Sequence, residues 1–178
     1  MKKSLSILAI AAVAALSMAA CSDGGTVEKG GAAAASQSQE AKVSESAPAE
    51  TAKASDPEFG DAYTWENGLK VAISTPKSFK PSEYASAEGE GKPLVFTVTI
   101  TNGTKEDFDP ALFSTTASSD GAEATSIFDS AKGVEPPMTS VKPGKTVTFK
   151  IGFTVLNAKD ITMDVSPGFE YEAKTFVS

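Results

Sequence analysis

Two groups of residues in this sequence could do chemistry. The first is Cys21, the only cysteine among 178 residues. A lone thiol has no partner for an internal disulfide, so its sulfur is left for modification or for a bond outside the chain. The second is the run Lys105-Glu106-Asp107-Phe108-Asp109. Glu106, Asp107 and Asp109, with Asp120 or Asp129 brought near them, would offer the hard oxygen donors that Ca²⁺ takes in sixes to eights. Their spacing is not that of an EF-hand loop. Paired carboxylates are also the equipment of glycoside cleavage, which needs them about 5–10 Å apart across a cleft. Nothing in the sequence marks such a cleft. The plainer reading of 105–109 is a solvated loop in which Asp109-Pro110 starts a turn.

The missing residue types narrow the choice. All sixteen basic residues are lysines, and the chain has neither His nor Arg. Without His there is no Ser-His-Asp or Cys-His arrangement and no side chain that ordinarily titrates near neutrality. With one Cys and no His, a structural zinc site is excluded. Without Arg there is no bidentate clamp for phosphate or carboxylate. Ser and Thr are plentiful, but no base is placed beside them. No enzymatic activity and no cofactor are expected. The formal charge is −7, and loss of Lys2 and Lys3 would leave fourteen lysines against 23 carboxylates, a balance of −9. Such a chain lacks the basic stripe that a nucleic-acid partner requires. It would also be repelled by anionic lipid, so any membrane contact has to come from an attached lipid.

The surroundings of Cys21 suggest where that lipid goes. Met1-Lys2-Lys3 gives a positive start, and Leu5 to Leu16 is an apolar stretch of the length expected for a signal peptide. Ser17-Met18-Ala19-Ala20-Cys21 then resembles the bacterial lipobox, in which small residues precede a cysteine that takes diacylglycerol on its sulfur. Ala19, Ala20 and Cys21 match, and Met18 stands where Leu is usual. The expectation is cleavage between Ala20 and Cys21, acylation of Cys21, and anchoring at the outer face of the cell membrane. Two acyl chains on one residue meet the requirement for stable attachment. The alternatives are an ordinary cleaved signal and an uncleaved anchor, for which Ser4 to Ala20 is short.

Three segments follow from texture: a signal peptide at 1–20, an acylated cysteine and low-complexity tether at 21–58, and a foldable domain at 59–178. The tether carries Gly24-Gly25, Gly30-Gly31, Ala32 to Ala35 and then Ser, Gln, Glu, Lys and Pro. Val27 and Val43 are isolated apolar residues and make no core of their own. Fully extended, this stretch would reach at most about 120–130 Å.

In the domain the hydrophobic period is two. Leu69, Val71 and Ile73 alternate with polar or small residues, as do Leu94, Phe96, Val98 and Ile100 and then Val147, Phe149, Ile151, Phe153 and Val155. Ile161, Met163 and Val165 repeat the pattern, and Phe169 to Val177 reads as a last strand. Ser119-Asp120-Gly121 reads as a tight hairpin between strands at 112–118 and 122–128. A short strand is expected at Met138 to Lys142, and Pro143-Gly144 fits a type II turn. Asn102-Gly103-Thr104 has the form of a glycosylation sequon and is read as a turn. The expectation is an all-β fold, an antiparallel immunoglobulin-like β-sandwich of seven to eight strands.

The order of these features resembles a known family. Asn67-Gly68-Leu69, Ile100-Thr101-Asn102-Gly103-Thr104, Phe108-Asp109-Pro110 with Phe113, Val141-Lys142-Pro143-Gly144-Lys145, and the Phe149/Phe153 strand carry the likeness. It is similar to the lipoproteins of Gram-positive bacteria that bear a telokin-like, immunoglobulin-like domain of unknown function. Their superfamily includes an immunogenic secreted mycobacterial antigen. The resemblance spans about Trp65 to Ser178 and brings no catalytic residues with it. It implies an extracellular interaction module whose partner is another envelope protein or an extracellular ligand. A Ca²⁺- or small-ligand-sensing domain using Glu106, Asp107 and Asp109 is the alternative.

Two further groups could make a binding surface. Tyr63, Trp65 and Tyr84 are aromatics of the kind enriched at interfaces, although Trp65 is better read as the cap of one end of the core. The threonine-rich strand faces, Thr97, Thr99 and Thr101 with Thr146, Thr148 and Thr154, are read as an ordinary solvated sheet surface.

Overall fold

The computed structural model describes residues 25–30, 56–87 and 89–178. The expected signal peptide, Cys21 and most of the expected tether lie outside the described residues.

Two antiparallel sheets face each other. The first contains β1 (Thr26–Glu28), β2 (Ala62–Thr64), β3 (Leu69–Ile73), β4 (Lys77–Ser78), β5 (Lys92–Asn102), β8 (Thr125–Ile127) and β9 (Thr146–Val155). Its order is β1-β2-β3-β5-β9-β8, with β4 also pairing β5. The second contains β6 (Ser114–Ser119), β7 (Ala122–Glu123), β10 (Ile161–Ser166) and β11 (Lys174–Val177), in the order β11-β10-β6-β7. The domain is an all-β sandwich, as the period-two runs indicate.

The core is built by that alternation. On β5, Leu94, Phe96, Val98 and Ile100 are buried while the residues between them are half-exposed. They join Leu69, Val71 and Ile73 of β3 and Phe149, Phe153 and Val155 of β9, and meet Ala117, Ile161, Met163, Val165 and Phe176 of the other sheet in one cluster. Phe96 sits at its centre, 5.0 Å from Phe59 and 6.5 Å from Phe153 between ring centroids. The threonine face lies outside, where Thr99 and Thr101 pair across to Thr148 and Thr146 at 3.4 and 3.1 Å. Thr154 lies on the same face by alternation but is buried. β8 and the segment after it cover that part of β9, where a Cβ on Gly152 would stand 3.0 Å from Ile127 Cβ and 3.2 Å from Val134 Cγ1.

The turns follow their chemistry. Asp120 and Gly121 both have positive φ, 54° and 74°, so Ser119 and Ala122 are joined by a two-residue turn whose twist suits a hairpin. At Pro143-Gly144 the Lys145 amide donates to the Lys142 carbonyl at 3.0 Å, and Gly144 has φ 73°.

Four expectations change. The single strand at 122–128 divides at Ala124, whose amide donates to Ala117 in one sheet while Thr125 pairs with Thr154 in the other. A period-two pattern is the same in either sheet, so it does not reveal the switch. The strand expected at Met138 to Lys142 reduces to a bridge between Val141 and Phe108, because Pro136, Pro137 and Pro143 around it donate no N–H. The last strand begins at Lys174 and not at Phe169, since Pro167-Gly168 leads into a turn closed by the Tyr171 amide on the Gly168 carbonyl at 3.1 Å.

The fourth change concerns the segment 21–58. Thr26–Glu28 is a strand, paired in register with β2. Val27 is half-buried and packs against the core. A three-residue strand needs no core of its own when it adds to an existing sheet edge, which supplies both hydrogen-bond partners and apolar surface. The sandwich also starts earlier than 59: the Val177 amide donates to the Pro57 carbonyl at 3.0 Å, and Lys174 Nζ lies 3.6 Å from Asp56.

Asp61 holds the early segment in place. Its Oδ1 accepts from the Gly30 amide at 2.9 Å, and its Oδ2 accepts from the Glu58 amide at 3.0 Å and lies 3.1 Å from Lys29 Nζ. Burial alone would raise this carboxyl. The Gly30 and Glu58 amides and the Lys29 ammonium outweigh that and hold it below its ordinary value of 3.8. A carboxylate with a depressed folded pKa stabilises the folded arrangement above its unfolded pKa and stops doing so as pH falls through the folded value. Residues 25–30 are therefore expected to stay docked at neutral pH and to loosen in acid, below about pH 4. An NMR acid titration following Val27 and Gly30 checks this. In Asp61→Asn the acid step should disappear.

Candidate binding groove at one end of the sandwich

The site is built from loops that Asn102 ties together. Asn102 is the last residue of β5 and is fully buried. Its Nδ2 donates to the carbonyls of Glu106 at 2.8 Å and Val141 at 2.7 Å. Its Oδ1 accepts from the Thr104 amide at 3.0 Å and the Thr104 hydroxyl at 2.8 Å. Its backbone N–H donates to Lys145 at 2.9 Å, and its carbonyl accepts from Gly144 at 2.6 Å. One side chain thus fixes the 103–109 loop against the 141–145 turn with every polar atom satisfied. The Asn102-Gly103-Thr104 turn reading holds, with more weight on the amide than a turn requires.

Beyond Asn102 the loops enclose an open groove of about 540 Å³, lined by Asn67, residues 104–109, Leu112 and residues 167–171. Phe108 forms a buried part of its wall. Leu112 is half-exposed, and Phe169 is 98% exposed. An aromatic ring standing free beside a concave surface is the kind of group that a partner covers. Glu106, Asp107, Asp109 and Glu170 line the groove with carboxylates, and Lys105 adds one ammonium. Tyr171 closes the end. Its hydroxyl accepts from Asn67 Nδ2 at 3.1 Å, and its ring meets Trp65 edge-on at 5.8 Å. Burial, with Glu170 beside it, pushes this phenol above its ordinary value of 10.0 against the opposing Asn67 hydrogen bond, so it stays protonated in the physiological range.

The proposed calcium ligands Glu106, Asp107 and Asp109 share this groove but do not form a metal site. Asp107 is paired with Lys142 Nζ. Asp109 Oδ1 accepts from the Ala111 amide at 3.0 Å and caps the short 3-10 turn Pro110–Leu112. Among the described residues, no cluster of three or more Asp, Glu, His or Cys side chains could hold a metal ion. Two of the three carboxylates are thus taken up by a lysine and a cap. Of the other two carboxylates considered, Asp120 sits in the turn between Ser119 and Ala122, away from the groove, and Asp129 is buried elsewhere and accepts from the Ser82 amide and hydroxyl at 2.7 and 2.8 Å.

Of the aromatics, Trp65 is buried and caps the core at the groove end, with Nε1 donating to the Glu172 carbonyl at 3.0 Å. Tyr63 is buried beside it, and Tyr84 is exposed away from the groove. The residues that sequence reasoning missed are Asn67, Leu112, Phe169 and Tyr171. A large aromatic immediately after a Pro-Gly turn was the available signal for Phe169, because that position precedes any regular pairing.

No protein-family model matches the chain, and no curated protein matches it. Among solved structures it is similar to the yjhA protein of Bacillus subtilis, at 12% identity over 68% of this chain and 98% of that one, with a TM-score of 0.53. The candidate lipoprotein ycdA of Bacillus subtilis aligns at 14% identity over 70% of this chain and 37% of its own, with a TM-score of 0.49. An uncharacterized β-sandwich protein of Clostridium difficile aligns at 13% identity over 73% of this chain and 99% of its own, with a TM-score of 0.43. The likeness to yjhA is one of fold, and the shared fold is an antiparallel sandwich that presents its loops at the two ends.

Proposed function

We propose that this chain is a lipid-anchored protein of the outer face of the cell membrane, acylated on Cys21, whose sandwich works by binding through the groove at its 102–112 and 167–171 end. Binding and not catalysis is the reading that the groove's contents favour. Its walls combine apolar groups, Leu112, Phe169 and Tyr171, with carboxylates. The ligand it suits carries an apolar group next to a positive charge, such as a Lys-rich peptide segment with large aliphatic side chains. Exposed Phe169 beside four acidic residues is the observation that carries this reading.

The location is tested by the mass of the N-terminal peptide, which should correspond to a diacylglyceryl-modified Cys21. The binding is tested by NMR titration with a synthetic peptide of alternating lysine and leucine. Shifts should concentrate in residues 104–112 and 167–171. Phe169→Ala should weaken the interaction about tenfold, the loss of one interface anchor worth about 1.4 kcal/mol. Glu106→Gln should weaken it less and reduce its salt dependence. Shifts spread evenly over the sandwich, or none at all, would refute the groove as the site.

A further inference from the structure

The groove lies at the end of the sandwich where the chain enters. β1 runs antiparallel to β2 with Thr26 opposite Thr64, so the start of β1 lies beside the end of β2. From there the rings step directly to the groove: Tyr63 meets Trp65 edge-on at 4.8 Å, Trp65 meets Tyr171 at 5.8 Å, and Tyr171 lines the groove. The segment is seated at both ends by glycines in close approach. A Cβ on Gly25 would stand 1.9 Å from the Tyr63 hydroxyl, and one on Gly30 would stand 1.7 Å from the Gly60 carbonyl oxygen. The Asp61 carboxylate then binds the Gly30 amide and the Lys29 ammonium.

Gly25 is four positions after Cys21. That length of backbone spans at most about 14 Å, against about 120–130 Å if the fold began near residue 59. On the reading that Cys21 is acylated, we propose that β1 and the Asp61 clasp form a short leash that holds the groove end of the sandwich at the lipid surface. Gly30 and Asp56, the described residues on either side of 31–55, both contact the sandwich, through Asp61 and Lys174. The groove faces the membrane, and the Asp120-Gly121 turn at the opposite end faces the medium. The acidic groove lining does not favour insertion among anionic headgroups, so the membrane-facing end stands at the headgroup layer, where a ligand carried by the membrane surface can meet it.

The test uses the full chain purified from membranes and reconstituted in phosphatidylcholine vesicles carrying an acceptor dye on a small fraction of headgroups. A donor is placed on Phe169→Cys at the groove end or on Lys159→Cys at the far end. β5 alone is about 35 Å long, so the two ends differ by more than the leash. Energy transfer should be at least twofold greater from position 169. Adding Gly30→Val, or separately Gly25→Val, should lower the transfer from 169 towards that from 159 while the melting temperature of the sandwich stays within a few degrees. Equal transfer from both positions with an acylated N-terminal peptide would overturn the leash and leave the anchored-protein reading standing, as would a 169 signal that neither glycine variant changes. An N-terminal peptide without acyl chains would overturn that reading and the leash's membrane role together.

Discussion

Replacing Asn102 with Asp is expected to destabilise the sandwich by about 3–5 kcal/mol at neutral pH, a large part of a typical domain's stability. The substitution changes one atom group, and the size of the effect comes from where it points. Nδ2 faces two carbonyl oxygens, those of Glu106 and Val141, at 2.8 and 2.7 Å. A carboxylate oxygen there loses both hydrogen bonds and adds a buried negative charge against two partial negative charges. Asn102→Ala should cost less, about 2–3 kcal/mol, because it leaves buried groups unpaired without adding a charge. The two variants separate by pH. An unpaired buried Asp has a folded pKa above its unfolded value of about 3.9, so its penalty grows as pH rises above that value and shrinks below it. Urea denaturation of Asn102→Asp and the wild type at pH 7 and pH 4 should therefore show a smaller difference in acid, whereas the Asn102→Ala difference should hardly move. A penalty for Asn102→Asp below about 1 kcal/mol at pH 7 would mean that Asn102 does not tie these loops together.

Phe96→Ala should have an effect of similar size, about 3–5 kcal/mol, through packing alone. Phe96 is fully buried on the central strand and packs against Phe59 and Phe153. Truncation leaves a cavity between two sheets, each held by its own hydrogen-bond ladder, so the walls have little freedom to collapse. Phe96→Leu should cost about 1–2 kcal/mol by keeping most of the volume. Phe96 and Asn102 are six positions apart on one extended strand, about 20 Å, so the double variant should lose close to the sum of the two. Denaturant midpoints at constant slope measure both effects, and a marked departure from additivity would show that the core and the loop end are coupled through β5.

The sheets were legible because burial of one strand face writes a period of two into the sequence. Leu94, Phe96, Val98 and Ile100 are buried as read, and Asp120-Gly121 turns as its φ requirement dictates. The regions that resisted reading lack that period. Thr125 and Phe169 each sit where an apolar or β-prone stretch continues in sequence but changes sheet or leaves the ladder, and alternation does not register either event. Residues 105–109 stood out by charge, yet whether their carboxylates converge depends on Asn102, Lys142 and the Ala111 amide, which come from three different segments.

By itself, then, the sequence determined the all-β class, the inward faces of the long strands, the missing His and Arg chemistry, and the change of texture at Cys21. Each of these is a property of residue type or of neighbours along the chain. Only the tertiary structure decided that Asn67, residues 104–109, Leu112 and residues 167–171 enclose one groove, and that Val27, three positions before a glycine pair in a stretch with no pattern, belongs to a sheet. Loops carry no periodic burial to announce their partners. A three-residue edge strand takes its stability from the sheet it joins, so its own composition has no need to show it.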